Sequence, residues 1–233
     1  MSDFVISHGL FALPRSIVNR ERQITTRSGV KLVYRLNRGD LQGILEVWCD
    51  EVYRLPFATP SGAFLDLGAN IGLTGVWMAT QSEFSKIIAV EPDHENALLV
   101  AKNFHQNGIA ATVIEAAVGP NDGTTRFKTE RWSNLGHVTD SDEGMPVRVI
   151  SVASIIREFE VETFGLVKVD IEGSEQALFL GPPEWLGCTK SMIVEFHPEV
   201  VDYPLLTKTV SSRGFQYIPA SPRNMDCFVA VAS

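Results

Sequence analysis

Two short stretches place ionisable residues inside otherwise apolar runs. In Val167-Lys-Val-Asp-Ile-Glu-Gly-Ser-Glu175, Lys168, Asp170 and Glu172 occupy alternate positions. They share one face as long as the chain stays extended. Ile193-Val-Glu-Phe-His197 does the same for Glu195 and His197. Polar side chains in buried strands cost free energy unless they are partnered or used. Burial beside like charges can lift one carboxyl pKa toward the value a proton-transfer catalyst needs. Asp170 and His197 are therefore expected nearest a reacting group, with Glu172 and Glu195 as alternatives and Lys168 beside them. A structural network is the competing reading. In it Lys168 neutralises Asp170 or Glu195, and Glu172 caps the next helix.

A second cluster lies upstream. Asp66-Leu-Gly-Ala-Asn-Ile-Gly72 follows the apolar run Ala63 to Leu67. Gly68 and Gly72 allow an abrupt strand-to-helix turn and close approach of backbone to a ligand. Ala69 is small, and Asn70 and Thr74 sit on either side of the helix start. A helix N-terminus offers free N–H groups to an anion such as a carboxylate. Asp66 can accept from a cationic donor. Together these suit an amino-acid moiety, as in the methionine part of S-adenosylmethionine. Glu91, followed by Pro92, ends the next strand 23 residues after Gly68. A carboxylate there can accept both ribose hydroxyls of a nucleoside. Glu115, Ala116 and Ala117 end the third strand, where an adenine edge is expected to rest. A dinucleotide-binding oxidoreductase is the main rival. Its fingerprint needs a glycine where this chain has Asn70, and Asp66 would repel a diphosphate.

These residues need elements to hold them. The continuous apolar runs Ala63–Leu67, Lys86–Val90, Ala111–Ala117, Gly165–Ile171 and Ser191–Phe196 read as buried strands. Helical patterns separate them, one from about Ile71 to Thr80 and one capped by Asp93. Phe215–Ile218 and Cys227–Val231 read as a terminal antiparallel pair. Alternation of this kind predicts a doubly wound α/β fold with a mostly parallel sheet. Residues 1–60 form an N-terminal strand and helix extension. Within it Val30–Leu36 alternates like a strand, Asp40 caps a helix, and Leu41, Ile44, Leu45, Trp48 and Val52 recur at helical spacing. Residues 61–233 form the ligand-binding domain. The segment 121–149 breaks the alternation and is expected as a lid over the carboxyl edge of the sheet. Its Trp132, Asn134 and His137 are substrate-contact candidates.

The chain has 233 residues and 45% hydrophobic content, enough for a sizeable core. Its net charge of −8 argues against a nucleic-acid partner. Cys49, Cys188 and Cys227 have neither zinc nor redox spacing. No apolar run approaches the roughly 18 residues of a membrane span, and no signal peptide is visible, so a cytoplasmic location is the expectation.

Three blocks resemble the FkbM-type methyltransferases, a family within class I: Phe64 to Gly72 with Ala89-Val-Glu-Pro92, Val167 to Glu175, and Ile193 to His197. The resemblance spans roughly Val47 to Ala232 and implies S-adenosylmethionine, a seven-stranded sheet, and methylation of oxygen on natural products or sugars. A small-molecule or glycan acceptor follows, and a homodimer stays open. Catechol-type relatives hold magnesium at these strand ends. Asp170, Glu172 and Glu195 resemble that set, but the second acidic or amide residue of the fifth strand is missing. Magnesium is the less favoured option and no metal ligand is assigned. A non-catalytic S-adenosylmethionine-binding protein is the remaining alternative.

Overall fold

The computed structural model describes residues 20–36, 38–128, 137–139, 144–219 and 225–231. Its centre is a seven-stranded sheet with spatial order β12-β13-β11-β10-β3-β4-β5. The strands are β3 (Ala63–Leu67), β4 (Ile87–Glu91), β5 (Thr112–Glu115), β10 (Phe164–Val169), β11 (Ser191–Val194), β12 (Phe215–Ile218) and β13 (Asp226–Ala230). β3, β4, β10 and β11 are buried along their whole length, as continuous apolar runs in a sheet covered on both faces should be. β13 runs antiparallel to both β11 and β12, which confirms the terminal pair. The fold is the expected α/β, mostly parallel, seven-stranded architecture.

Two apolar layers follow from the two-residue period of the strands. Leu65, Leu67, Val167, Val169, Met192 and Val194 face one. Phe64, Leu166 and Ile193 face the other, together with Val76 and Trp77 of α2 (Leu73–Gln81) and Val47, Val52 and Tyr53 from the N-terminal segment. Asp66 and Lys168 belong to the second face by parity. The parallel register puts them directly opposite one another on β3 and β10.

The N-terminal segment contributes the hairpin β1 (Glu21–Thr25) and β2 (Lys31–Arg35), then α1 (Arg38–Ile44) and a π-helical turn, Leu45–Cys49. Asp40 lies inside α1 and does not cap it. Its buried carboxylate instead accepts the Arg35 guanidinium, Nε to Oδ2 at 2.9 Å and Nη2 to Oδ1 at 3.0 Å. The hairpin docks on α3 (His94–Gln106) through asparagine amides. Asn103 Oδ1 accepts from Val33 N at 2.7 Å, and its Nδ2 donates to Val33 O at 3.0 Å and to Ile71 O at 2.8 Å. Asn107 repeats the pattern on Lys31, accepting from its N at 2.9 Å and donating to its O at 2.7 Å. These amides stand in for a paired strand.

The third predicted strand splits. β5 ends at Glu115, and Ala117–Val118 (β6) joins a separate four-stranded sheet of order β6-β9-β7-β8. Its other members are β7 (Gly123–Lys128), β8 (His137–Thr139) and β9 (Met145–Ile150). α4 (Val152–Glu158) follows, with Ser151 as its cap. α5 (Glu175–Leu180) and α6 (Tyr203–Ser212) complete the helices named here.

Candidate functional site

The turn after β3 is forced by close packing. Gly68 has φ +78°, and a Cβ there would lie 1.7 Å from the Asp170 carbonyl oxygen. No other residue fits, because the ends of β3 and β10 meet at this point. Asn70 also adopts a left-handed conformation, φ 51°. It is held there by Glu91, whose Oε2 accepts the Asn70 N–H at 2.8 Å. Glu91 Oε1 accepts the Asp93 N–H at 3.0 Å. Burial pushes the Glu91 carboxyl up to about 8, against the pull of these backbone donors. The residue predicted to bind ribose is thus also the clamp of the turn.

Lys168 is 2% exposed and surrounded by acceptors. Its Nζ donates to Gly68 O at 2.5 Å and lies 3.2 Å from Asp170 Oδ2 and 3.4 Å from Asp66 Oδ1. Burial alone would strip its proton, but the Asp170 and Asp66 carboxylates more than offset that and hold the ammonium above its ordinary range. Asp66 is fully buried, and its cation is Lys168. Tyr53 enters from the N-terminal segment with its ring centroid 5.6 Å from the Lys168 ammonium. Its hydroxyl donates to Asp170 Oδ2 at 3.2 Å and stands 3.5 Å from Glu195 Oε2. Burial, followed by the Asp170 charge, lifts Glu195 to about 8.

His197 lies between two carboxylates. Its Nδ1 is 2.9 Å from Glu175 Oε1 and its Nε2 is 3.3 Å from Glu172 Oε2. The Glu175 contact raises the imidazole to about 9. Burial and the Asp170 charge raise Glu172 to about 7. Glu172 itself sits in a left-handed turn, φ 49°, rather than capping a helix. Asp170, Glu172 and His197 each offer one donor atom, all within 4.8 Å of one another. This set contains an imidazole and excludes Glu195. Magnesium prefers an all-oxygen shell, so it fits poorly here.

These groups line one cavity of about 280 Å³. Ala69, Asn70 and Thr74 form the turn side of it. Lys168, Asp170, Glu172, Glu195 and His197 form the strand-end side. The third wall is Gly39, Gln42, Gly43, Glu46, Val47 and Tyr53. Sequence reasoning assigned that segment no functional residue. Its helical spacing predicted burial, and nothing in the spacing said which face would meet the site. Among the described residues of 121–149, none lines this cavity. The backbone of His137 opens β8, and Trp132 and Asn134 lie outside the described residues.

The adenine-side residues lie elsewhere. The Glu115 side chain is 52% exposed and pairs with His94 Nδ1 at 2.8 Å. Ala116 is buried in the first apolar layer and Ala117 is buried in β6, because the chain leaves the main sheet between β5 and β6. Gly68 and Gly72 shape the turn, Glu91 clamps it and Asp66 anchors Lys168 beside it, and neither these four nor Pro92 line the cavity.

A doubly wound seven-stranded sheet with one antiparallel strand, and a glycine turn leaving β3 beside a polar cavity, defines the class I methyltransferase fold. The model of the methyltransferase FkbM domain matches residues 66–217, and the chain belongs to that family. It is 24% identical over 184 residues to hexuronic acid methyltransferase AglP of Haloferax volcanii, covering 75% of each chain. The crystal structure of methyltransferase FkbM from Methylobacillus flagellatus superposes with a TM-score of 0.51 at 20% identity, over 79% of this chain and 47% of that one. The chain thus spans about half the length of that solved relative.

Proposed function

We propose that the chain transfers a methyl group from S-adenosylmethionine to a hydroxyl oxygen of a sugar or another small hydroxylated metabolite. The observation that carries this reading is the meeting of the glycine turn with a carboxylate-rich cavity. Glu46, Asp170, Glu172, Glu195 and Glu199 line it against the two basic residues Lys168 and His197. A ligand bearing an ammonium and a sulfonium gains from that excess of negative charge. A diphosphate loses by it. The amides that open α2 have no partner within the helix and can take the ligand's carboxylate. The family supports the cofactor, and AglP, a hexuronic acid methyltransferase, supports a sugar acceptor. In this reading residues 61–233 form the methyltransferase domain and the N-terminal extension closes its cavity.

Methyl transfer from a sulfonium is an in-line displacement, so alignment supplies much of the rate. A hydroxyl acceptor must also lose its proton to a group within hydrogen-bond reach. His197 and Asp170 stand at the cavity face where that proton would leave. Isothermal titration with S-adenosylhomocysteine and with NADH separates the leading reading from the oxidoreductase. Saturable binding of the first and none of the second is expected. Binding of NADH alone would overturn the proposal. Glu91→Ala should weaken S-adenosylhomocysteine by about one to two decades, because the turn loses the acceptor that holds the Asn70 N–H.

A further inference from the structure

We propose that Glu175 is a positioning residue that fixes His197 with Nδ1–H toward itself and Nε2 toward the cavity, as the proton acceptor of the transfer. The proposal rests on the methyltransferase reading above. It adds a residue for which the sequence suggested no role.

The geometry is specific. Glu175 is fully buried at the start of α5 and does not line the cavity. One oxygen, Oε1, does all its work. It receives the Ile171 N–H at 3.2 Å, the Gly173 N–H at 3.2 Å and the His197 Nδ1 contact at 2.9 Å. The backbone donors come from the turn that follows β10, which also carries Asp170 and Glu172. They hold the carboxylate still, and the carboxylate holds the ring. Oε1 already accepts two backbone N–H groups, so it meets the ring as an acceptor and Nδ1 is the donor; Nε2 faces Glu172 Oε2 at 3.3 Å as an ion-pair contact without a hydrogen bond, and the neutral ring keeps its lone pair there. Among the described residues, Oε2 of Glu175 has no hydrogen-bond partner. A buried carboxylate with one idle oxygen is costly unless its charge is used. Stabilising a cation on His197 is that use.

The step balances. The acceptor hydroxyl gives its proton to Nε2 of His197, and its oxygen forms the new bond to the methyl carbon. The carbon–sulfur bond breaks, and its electron pair stays on sulfur as the neutral thioether. The imidazolium then returns its proton to solvent, which its side chain reaches at 13% exposure. Glu172 and Asp170 face the ring from the turn after β10, Glu195 from the end of β11 and Glu175 from α5. Lys168 is the fixed cation beside Asp170. In the empty site these carboxylates keep the ring protonated at neutral pH. A cationic methyl donor in the same cavity favours the neutral ring, because like charges oppose each other.

The test is a ¹⁵N NMR titration of the histidine rings, with His197→Gln for assignment. It needs no acceptor. The native ring should titrate near 9 and show the Nδ1–H tautomer when neutral. Glu175→Gln is close to isosteric, and its amide oxygen can take all three contacts. It should lower the midpoint by about one unit or more while S-adenosylhomocysteine affinity changes less than about threefold. A native ring titrating near the ordinary 6.5, a neutral ring protonated on Nε2, or an unmoved midpoint in Glu175→Gln would each overturn the proposal. If that variant does not fold, the native tautomer and midpoint decide alone. Failure of the native chain to bind S-adenosylhomocysteine would sink the methyltransferase reading instead, and the titration would still report on the pair.

Discussion

Lys168 shows what one buried charge does in this site. Its ammonium is nearly inaccessible and is committed to the Gly68 carbonyl, Asp66 and Asp170. It therefore joins the two halves of the motif: the β3 turn that shapes the cofactor side and the β10 end that carries the reactive carboxylates. Lys168→Met should remove the cation that lies against Asp66 and Asp170 and leave both short of compensation. Breaking a buried pair from one side costs about 3–5 kcal/mol. Urea unfolding of the variant should show an unfolding free energy lowered by that amount, with a lower midpoint, or no cooperative transition. A native-like midpoint would mean that Asp66 takes up a proton at no cost. The structural reading of Lys168 raised by the sequence is thus supported by its contacts, and Asp170 stays open to the cavity beside it.

The hairpin, α3 and the glycine turn form one mechanical unit. Asn103 joins them by three hydrogen bonds, two to Val33 and one to the Ile71 carbonyl inside the turn. Asn103→Ala should cost about 2–4 kcal/mol, given three buried contacts and the backbone groups left unpaired. It should also weaken S-adenosylhomocysteine, because Ile71 would lose its tether. Full stability in thermal melts would show that the hairpin docks by apolar contact alone. Much of this architecture was legible in the sequence. Fully buried strands announce themselves as apolar runs, and alternation predicted that Lys168 and Asp170 share a face, whereas Glu172 reaches the same cavity from the left-handed turn beyond β10. What stayed hidden depended on long-range contact. The sequence suggested no role for Glu175, since nothing local shows that His197 lies against it. Gly39 to Tyr53 read as a packing helix, since spacing reports burial and not the identity of the neighbour. Glu115 to Ala117 was expected to continue β5 into the site, but pairing of β6 with β9 draws the chain away from the main sheet.

At the scale of the whole molecule the site is a store of protons. Burial raises Glu46, Glu91, Glu172 and Glu195, and the contact with Glu175 raises His197. Every one of these shifts has the same sign: the folded chain binds more protons than the unfolded one. Stability then decreases with pH wherever that difference exists. For the carboxyls the window opens near 4.5 and closes at about 7 for Glu172 and about 8 for Glu91 and Glu195. For His197 it runs from 6.5 to about 9. The ligand-free protein should therefore melt at progressively lower temperature from pH 5.5 to pH 9. A net charge of −8 at neutral pH adds self-repulsion in the same direction. A cationic cofactor supplies the charge that the lost protons had provided. S-adenosylmethionine should therefore bind more tightly, and raise the melting temperature more, at pH 8.5 than at pH 6.5. A melting temperature that is flat or rising across this range would mean that the carboxylates of the empty cavity stay ionised and solvated, and that proton and cofactor do not compete for it.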